Sequence, residues 1–144
     1  MATTLINNRL ILFRGFGAGM WRYGQYLHLD ITPKCEYFNK NFRDFIFNQS
    51  SYGENFFPVD GTTVGQFTGY CDSFKKPIYE GDLVKVAKPY NGIYQVKYIN
   101  SIGAFGLQEQ DEKRMFLELG KINYRDMEII GNIYELTKNK HDGK

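Results

Sequence analysis

The chain has 144 residues, with 18 basic and 16 acidic side chains and a formal charge of +2 at neutral pH. Charges this balanced and interspersed exclude strong phosphate steering or an anionic membrane surface as the main attraction for a partner. A chain of this length suits one domain, or one small domain with an elaborated half, and buries about 68–70% of its unfolded surface without disulfide or metal staples.

Aromatic residues are abundant: twelve Phe, eleven Tyr and one Trp. Such rings fit pleated, half-buried surfaces. Fifteen Gly against four Pro place many turns between those runs, which predicts a mainly β chain. Cys35 and Cys71 form no CxxC pair and have no histidines at zinc-ligand spacing. No motif calls for a cofactor. The apolar run Leu10–Phe13 is too short for a signal-peptide core or a membrane span, so the expected compartment is the cytoplasm with both thiols reduced.

In chain order, Leu10 to Phe16 reads as a strand and Gly17-Ala18-Gly19 breaks it. Met20 to Leu29 follows as a longer strand, with Trp21, Tyr23, Leu27 and Leu29 on one face. The pair predicts an N-terminal β-hairpin. In the next stretch Phe38, Phe42, Phe45 and Ile46 fall at helical spacing, which predicts a short helical insert at Asn39–Phe47 against the poor helix propensity of Asn41.

Val59 to Tyr70 returns to strand character, interrupted at Asp60-Gly61. Lys75-Lys76-Pro77 connects to the anchor Ile78-Tyr79. Strands are predicted at Leu83–Lys88, Ile93–Ile99, Ala104–Gln108 and Met127–Tyr134, with a short apolar piece at Phe116–Leu119. Asn91-Gly92 between two alternating runs is a strong hairpin signal. Glu109–Arg114 reads as a polar loop and Thr137–Lys144 as a frayed tail. Many short strands in succession predict a small β-barrel or roll in the C-terminal half.

Thr63-Val64-Gly65-Gln66-Phe67-Thr68-Gly69, followed by Ile78-Tyr79-Glu80-Gly81-Asp82-Leu83-Val84, is a specific combination. Phe13-Arg14-Gly15, Trp21-Arg22-Tyr23-Gly24 and Ile130-Gly131-Asn132-Ile133-Tyr134-Glu135 accompany it. Together these blocks resemble the YopX-like proteins of phages and prophages, a family without an assigned biochemical role. The resemblance implies an SH3-like barrel, expected over residues 59–136, and a variable insert; with the hairpin and insert over 1–58 and the tail over 137–144, the expectation is one compact unit. The resemblance also implies a bacterial host. One departure is local: the turn between the two central blocks is Asp72-Ser73-Phe74-Lys75-Lys76-Pro77 and lacks the Asn-Gly of the family pattern, which leaves Phe74 at its tip.

Several candidate sites compete with plain structural roles. Glu80 and Asp82 stand two residues apart and have the chemistry to share a proton or hold a divalent cation, as a hydrolase would need. Gly81 between them makes turn chemistry the better account, so Tyr79, Gly81 and Asp82 are assigned to folding. His28, Asp30 and Cys35 supply the residue types of a nucleophile, base and orienting acid, but nothing in their spacing compels contact. Gly15-Phe16-Gly17-Ala18-Gly19 is followed by a strand and not a helix, so it fails as a phosphate loop.

Trp21, Tyr23 and Tyr26 near Arg14 and Arg22, and Tyr90, Tyr94 and Tyr98 near Lys85, Lys88 and Lys97, supply the rings and cations of a single-strand nucleic-acid surface. Glu80, Asp82, Glu109, Asp111 and Glu112 in the same half oppose that reading. Tyr94, Val96 and Tyr98 alternate with Ile93 and Ile99, which predicts a strand covered on both faces. The favoured expectation is a non-enzymatic accessory module without metal or cofactor. It binds a protein partner or assembles with itself, away from membranes, with Trp21, Phe74 and Tyr90 as exposed recognition rings beside turns. Single-stranded nucleic-acid binding and inhibition of a host enzyme are the alternatives.

Overall fold

Residues 4–6, 9–29, 43–50, 53–109 and 116–135 are described by the computed structural model. Strands dominate, as the composition predicts. The chain divides into two units, residues 1–67 and 68–144.

In the first unit β1 (Thr4–Ile6) pairs with β2 (Arg9–Ile11). A larger antiparallel sheet follows, with β3 (Phe13–Gly17), β4 (Met20–His28), β5 (Asp44–Ser50), β6 (Gly53–Pro58) and the start of β7 (Asp60–Cys71). Its order is β6-β5-β4-β3-β7. The predicted N-terminal hairpin is present: Phe13 opposes Gly24 and Gly17 opposes Met20. Ala18 and Gly19 carry φ of +51° and +78° at its tip, the paired left-handed geometry that suits a two-residue hairpin.

The predicted helix over Asn39–Phe47 is corrected. Its described end is strand β5, where Phe45 opposes Leu27 and Phe47 opposes Gln25 and Phe56. Pairing on both sides satisfies more backbone groups than one isolated helical turn, and the helical spacing of the Phe residues loses to it. Residues 39–42 lie outside the described residues. Gly24 is required where β4 meets β5: a Cβ there would collide with the carbonyl oxygen of Phe47.

In the second unit β7 ends beside β8 (Pro77–Tyr79), and the Thr68 hydroxyl donates to the Ile78 carbonyl at 2.8 Å. A five-stranded antiparallel sheet contains β9 (Asp82–Val86), β10 (Gly92–Ile99), β11 (Ala104–Glu109), β12 (Leu117–Glu118) and β13 (Met127–Asn132). Its order is β12-β11-β10-β9-β13, so among the described residues it is open, with β12 and β13 at its edges. The Asn91-Gly92 hairpin forms, but through a longer loop than two residues, because Gly92 already pairs with Val86. The last predicted strand stops at Asn132, and residues 133–135 turn helical around the Asn132 side chain, which accepts from the Tyr134 and Glu135 amides. Residues 110–115 of the predicted polar loop and the tail lie outside the described residues.

The core of this unit is one buried cluster built by Ile78, Val84, Val86, Tyr94, Val96, Leu107, Leu119, Ile122 and Met127. Each fully buried aliphatic side chain contributes about 1.5–3 kcal/mol relative to exposure. The two-faced covering predicted for Ile93–Ile99 is not seen among the described residues. Tyr94 and Val96 are buried, but Ile93 on the opposite face is 47% exposed.

Candidate functional site

The Glu80-Gly81-Asp82 segment joins β8 to β9. Asp82 is 2% exposed, and its Oδ2 accepts from the Tyr79 amide at 2.8 Å. Gly81 has φ of +89°, a conformation that other residues adopt only with strain. Its amide donates to the Val96 carbonyl at 3.0 Å and its carbonyl accepts from Ile133 at 3.0 Å. A Cβ at Gly81 would lie 2.8 Å from the Tyr134 ring. The segment thus ties β8, β10 and the end of β13 together. Among the described residues no group of three or more His, Cys, Asp or Glu side chains is gathered to hold a metal ion.

A second buried aspartate organises the turn that bears Phe74. Asp72 is 1% exposed. Its Oδ1 accepts from the Phe74 and Lys76 amides, both at 2.9 Å, and its Oδ2 accepts from the Ile129 amide at 3.1 Å. The backbone adds Asp72 N–H to Lys76 O at 2.9 Å, Lys75 N–H to Asp72 O at 3.0 Å and Ser73 N–H to Met127 O at 2.8 Å. Ile129 N–H and Met127 O belong to the outer side of edge strand β13, so this turn occupies an edge that would otherwise invite another strand. The bulge at Ile130, which leaves Ile129 opposite Val84 and Gly131 opposite Leu83, further blunts that edge. Sequence reasoning missed Asp72. The available signal was an Asp at the start of a turn, which commonly accepts backbone N–H two residues on; its long-range bond to Ile129 had none.

Phe74 itself is 75% exposed at the tip of this corner. Tyr90 is 44% exposed in the loop that joins β9 to β10. Its carbonyl accepts from the Tyr94 hydroxyl at 3.1 Å, and its side chain lines a cleft of about 350 Å³ with Phe116, Leu117 and Ile122. Trp21 is placed differently from the expectation. It is only half-exposed, edge-on to Phe16 at 5.4 Å, with the Arg14 guanidinium 4.6 Å from its ring centroid. A ring held on two sides has less free surface for a partner.

The first unit holds a cluster of polar side chains that the sequence did not bring together. The Asp44 Oδ1 accepts from the Tyr26 hydroxyl at 2.6 Å and lies 2.7 Å from His28 Nδ1. Burial alone pushes the Asp44 carboxyl up. Hydrogen bonds from Tyr26 and His28, with the charges of His28 and Arg43, outweigh it and hold Asp44 below its usual range. Burial, the bond to Asp44 and its negative charge push the Tyr26 phenol up to about 12. His28 thus meets Asp44, sixteen residues away in sequence. Asp30 and Cys35, the residue types weighed beside it in the sequence, lie outside the described residues. The meeting depends on the β4–β5 register, in which His28 opposes Asp44; spacing along the chain carries no trace of it.

Asp44 also lines an open cavity of about 780 Å³ with Phe16, Pro58, Val59, Asp60 and Thr62. Its rim comes from a bulge in β7. Arg14 opposes Gly65, while Phe16, two residues on, opposes Asp60. The displaced backbone is stitched by Thr63, whose hydroxyl accepts from the Phe16 amide at 2.8 Å and donates to the Asp60 carbonyl at 2.6 Å. The Asp60 Oδ1 accepts from the Thr62 amide at 3.0 Å and the Thr62 hydroxyl at 2.7 Å. Gly15 to Gly19 form the end of β3 and the hairpin turn, followed by strand β4.

A family model described as YopX protein matches residues 12–138. No curated protein matches the chain.

Proposed function

We propose that this chain, which belongs to the YopX family, is a non-enzymatic phage or prophage accessory module that docks a protein partner through Phe74. The observation that carries this reading is the combination at the Asp72 corner: a ring that is 75% exposed, on a turn whose backbone is fixed around a buried carboxylate. A large apolar side chain held ready in this way loses little conformational freedom on docking, and aromatic anchors dominate interface energies. Tyr90, beside a cleft lined by Phe116, Leu117 and Ile122 together with Glu118 and Lys121, is a second anchor in the same unit.

We read the strand succession from β7 to β13 as an SH3-like roll, as the family resemblance implies, working in the cytoplasm of a bacterial host. Self-assembly through the same rings is the nearest variant of the proposal.

The test is affinity purification of the chain from its host, with nuclease treatment, repeated with Phe74→Ser. A protein retained by the wild type and weakened about 10–100-fold by the substitution supports the reading, since burying a Phe ring stabilises by about 1.5–3 kcal/mol. Stability should change by less than about 0.5 kcal/mol, because the ring is exposed. Recovery of nucleic acid alone, lost on nuclease treatment, would replace it with single-strand binding. Sedimentation of the isolated chain at rising concentration separates self-assembly from a foreign partner.

A further inference from the structure

The cavity in the first unit joins two kinds of wall. Phe16, Pro58 and Val59 are apolar, while Asp44 and Asp60 supply carboxylates. At about 780 Å³ it falls in the size range of ligand sites, roughly 300–1,000 Å³. Its rim is built, since the β7 bulge that makes room for it is closed by Thr63 at both ends. Bulges recur where a strand re-aims its side chains toward a ligand.

We propose that this cavity receives a basic side chain, with its apolar neighbour, from a partner protein. The carboxylates disfavour phosphates and nucleic acid. A dehydrated calcium ion asks for six to eight oxygen ligands in general, whereas Asp44 Oδ1 already serves Tyr26 and His28 and Asp60 Oδ1 already serves Thr62. A guanidinium or ammonium group needs fewer acceptors, and its alkyl stem lies well against apolar walls. Asp44 stays ionised through the neutral range, so the attraction is present at physiological pH. Arg43 and His28 are the cations it already faces, and the incoming group competes with them. This goes beyond the Phe74 reading, because it concerns residues of the other unit and names the partner's chemistry.

The chain carries its own reporter. Trp21 is the only tryptophan and packs on Phe16 of the cavity wall. Titrating the full chain with N-acetyl-Phe-Arg-amide, while following Trp21 fluorescence and heat, should give saturable binding. The citrulline counterpart, equal in shape and uncharged, should bind at least about 10-fold more weakly, the scale of one lost charge-assisted contact. Asp44→Asn should weaken the arginine peptide by a similar factor at unchanged far-UV circular dichroism. Asp60→Asn should weaken it about threefold, and it carries the test if Asp44→Asn fails to fold. No saturable response, equal binding of the citrulline peptide, or agmatine binding as tightly as the dipeptide would each overturn the proposal; the last would make the ligand a free amine. The assay contains no partner protein and so reports on the cavity whether or not Phe74 docks one.

Discussion

The second unit gathers nine buried apolar residues, from Ile78 to Met127, into one cluster. In the first unit the buried apolar side chains among the described residues are Phe45, Ile46 and Val59. Its strands are joined by antiparallel backbone pairing, approach closely enough at Gly24 to leave no room for a Cβ, and carry stacked groups on their faces. Phe47 lies 4.8 Å from Phe56, and the Arg22 guanidinium 4.1 Å from Phe57. Burial in the second unit is pinned by two buried aspartates that accept backbone amides, Asp72 and Asp82. In the first, Asp44 serves two side chains and a cavity at once. The second unit is therefore vulnerable to loss of a buried acceptor, and the first to added bulk.

Asp72→Ala should have the largest effect. It leaves the amides of Phe74, Lys76 and Ile129 without their acceptor. These amides are part-buried, so each lost bond should cost about 0.5–1.5 kcal/mol, and the three sharing one carboxylate together about 2–4 kcal/mol. Asp72→Asn retains one oxygen and should cost about 1–2 kcal/mol, because its amide meets another donor. Urea unfolding followed by far-UV circular dichroism measures both. Trp21 fluorescence reports the first unit in the same samples. If the two probes keep coincident midpoints in Asp72→Ala, the units unfold as one and the contrast between them is structural only.

Gly24→Ala probes the opposite vulnerability. The new methyl group would meet the Phe47 carbonyl and the Ile46 side chain, so β4 and β5 must separate. Overpacking of this kind costs about 1–3 kcal/mol. The shift should be larger in Trp21 fluorescence than in the dichroism signal. A variant as stable as the wild type would show that the strand pair yields without cost, and would remove close approach as the explanation of the first unit's order.

The sequence was legible where periodicity and turn chemistry agree. The hairpin around Gly17-Ala18-Gly19, the strand pairs around Asn91-Gly92 and Gly103, and the turn chemistry of Gly81-Asp82 all rest on residues within a few positions of one another. It was misleading at Phe45-Ile46-Phe47, where aromatic spacing suited a helix but hydrogen bonding to strands on both sides decides the outcome. It was silent where contacts are long-range. Asp72 to Ile129 and Phe16 to Thr63 span 57 and 47 residues, and no local pattern announces them. Trp21 was misplaced for a related reason: the side chains that flank it, Phe16 and Arg14, come from the neighbouring strand.

The least change is expected at the Tyr26, His28 and Asp44 cluster, whose shifted groups predict a pH dependence for the first unit. Tyr26 has its phenol raised from 10.0 to about 12. Its contribution is therefore fully present below about pH 10 and lost as pH rises through 12. Asp44 has its carboxyl lowered from 3.8, so its contribution is present above about pH 4 and lost as pH falls through its depressed folded value. Tyr26→Phe removes one hydrogen bond and should cost about 1 kcal/mol at pH 7. Compared by Trp21-monitored unfolding at a series of pH values, the gap between wild type and variant should stay constant from pH 6 to 9 and close between about pH 10 and 12. A gap that persists at pH 12 would mean that the phenol stabilises by packing, with Asp44 held by His28 and Arg43 alone.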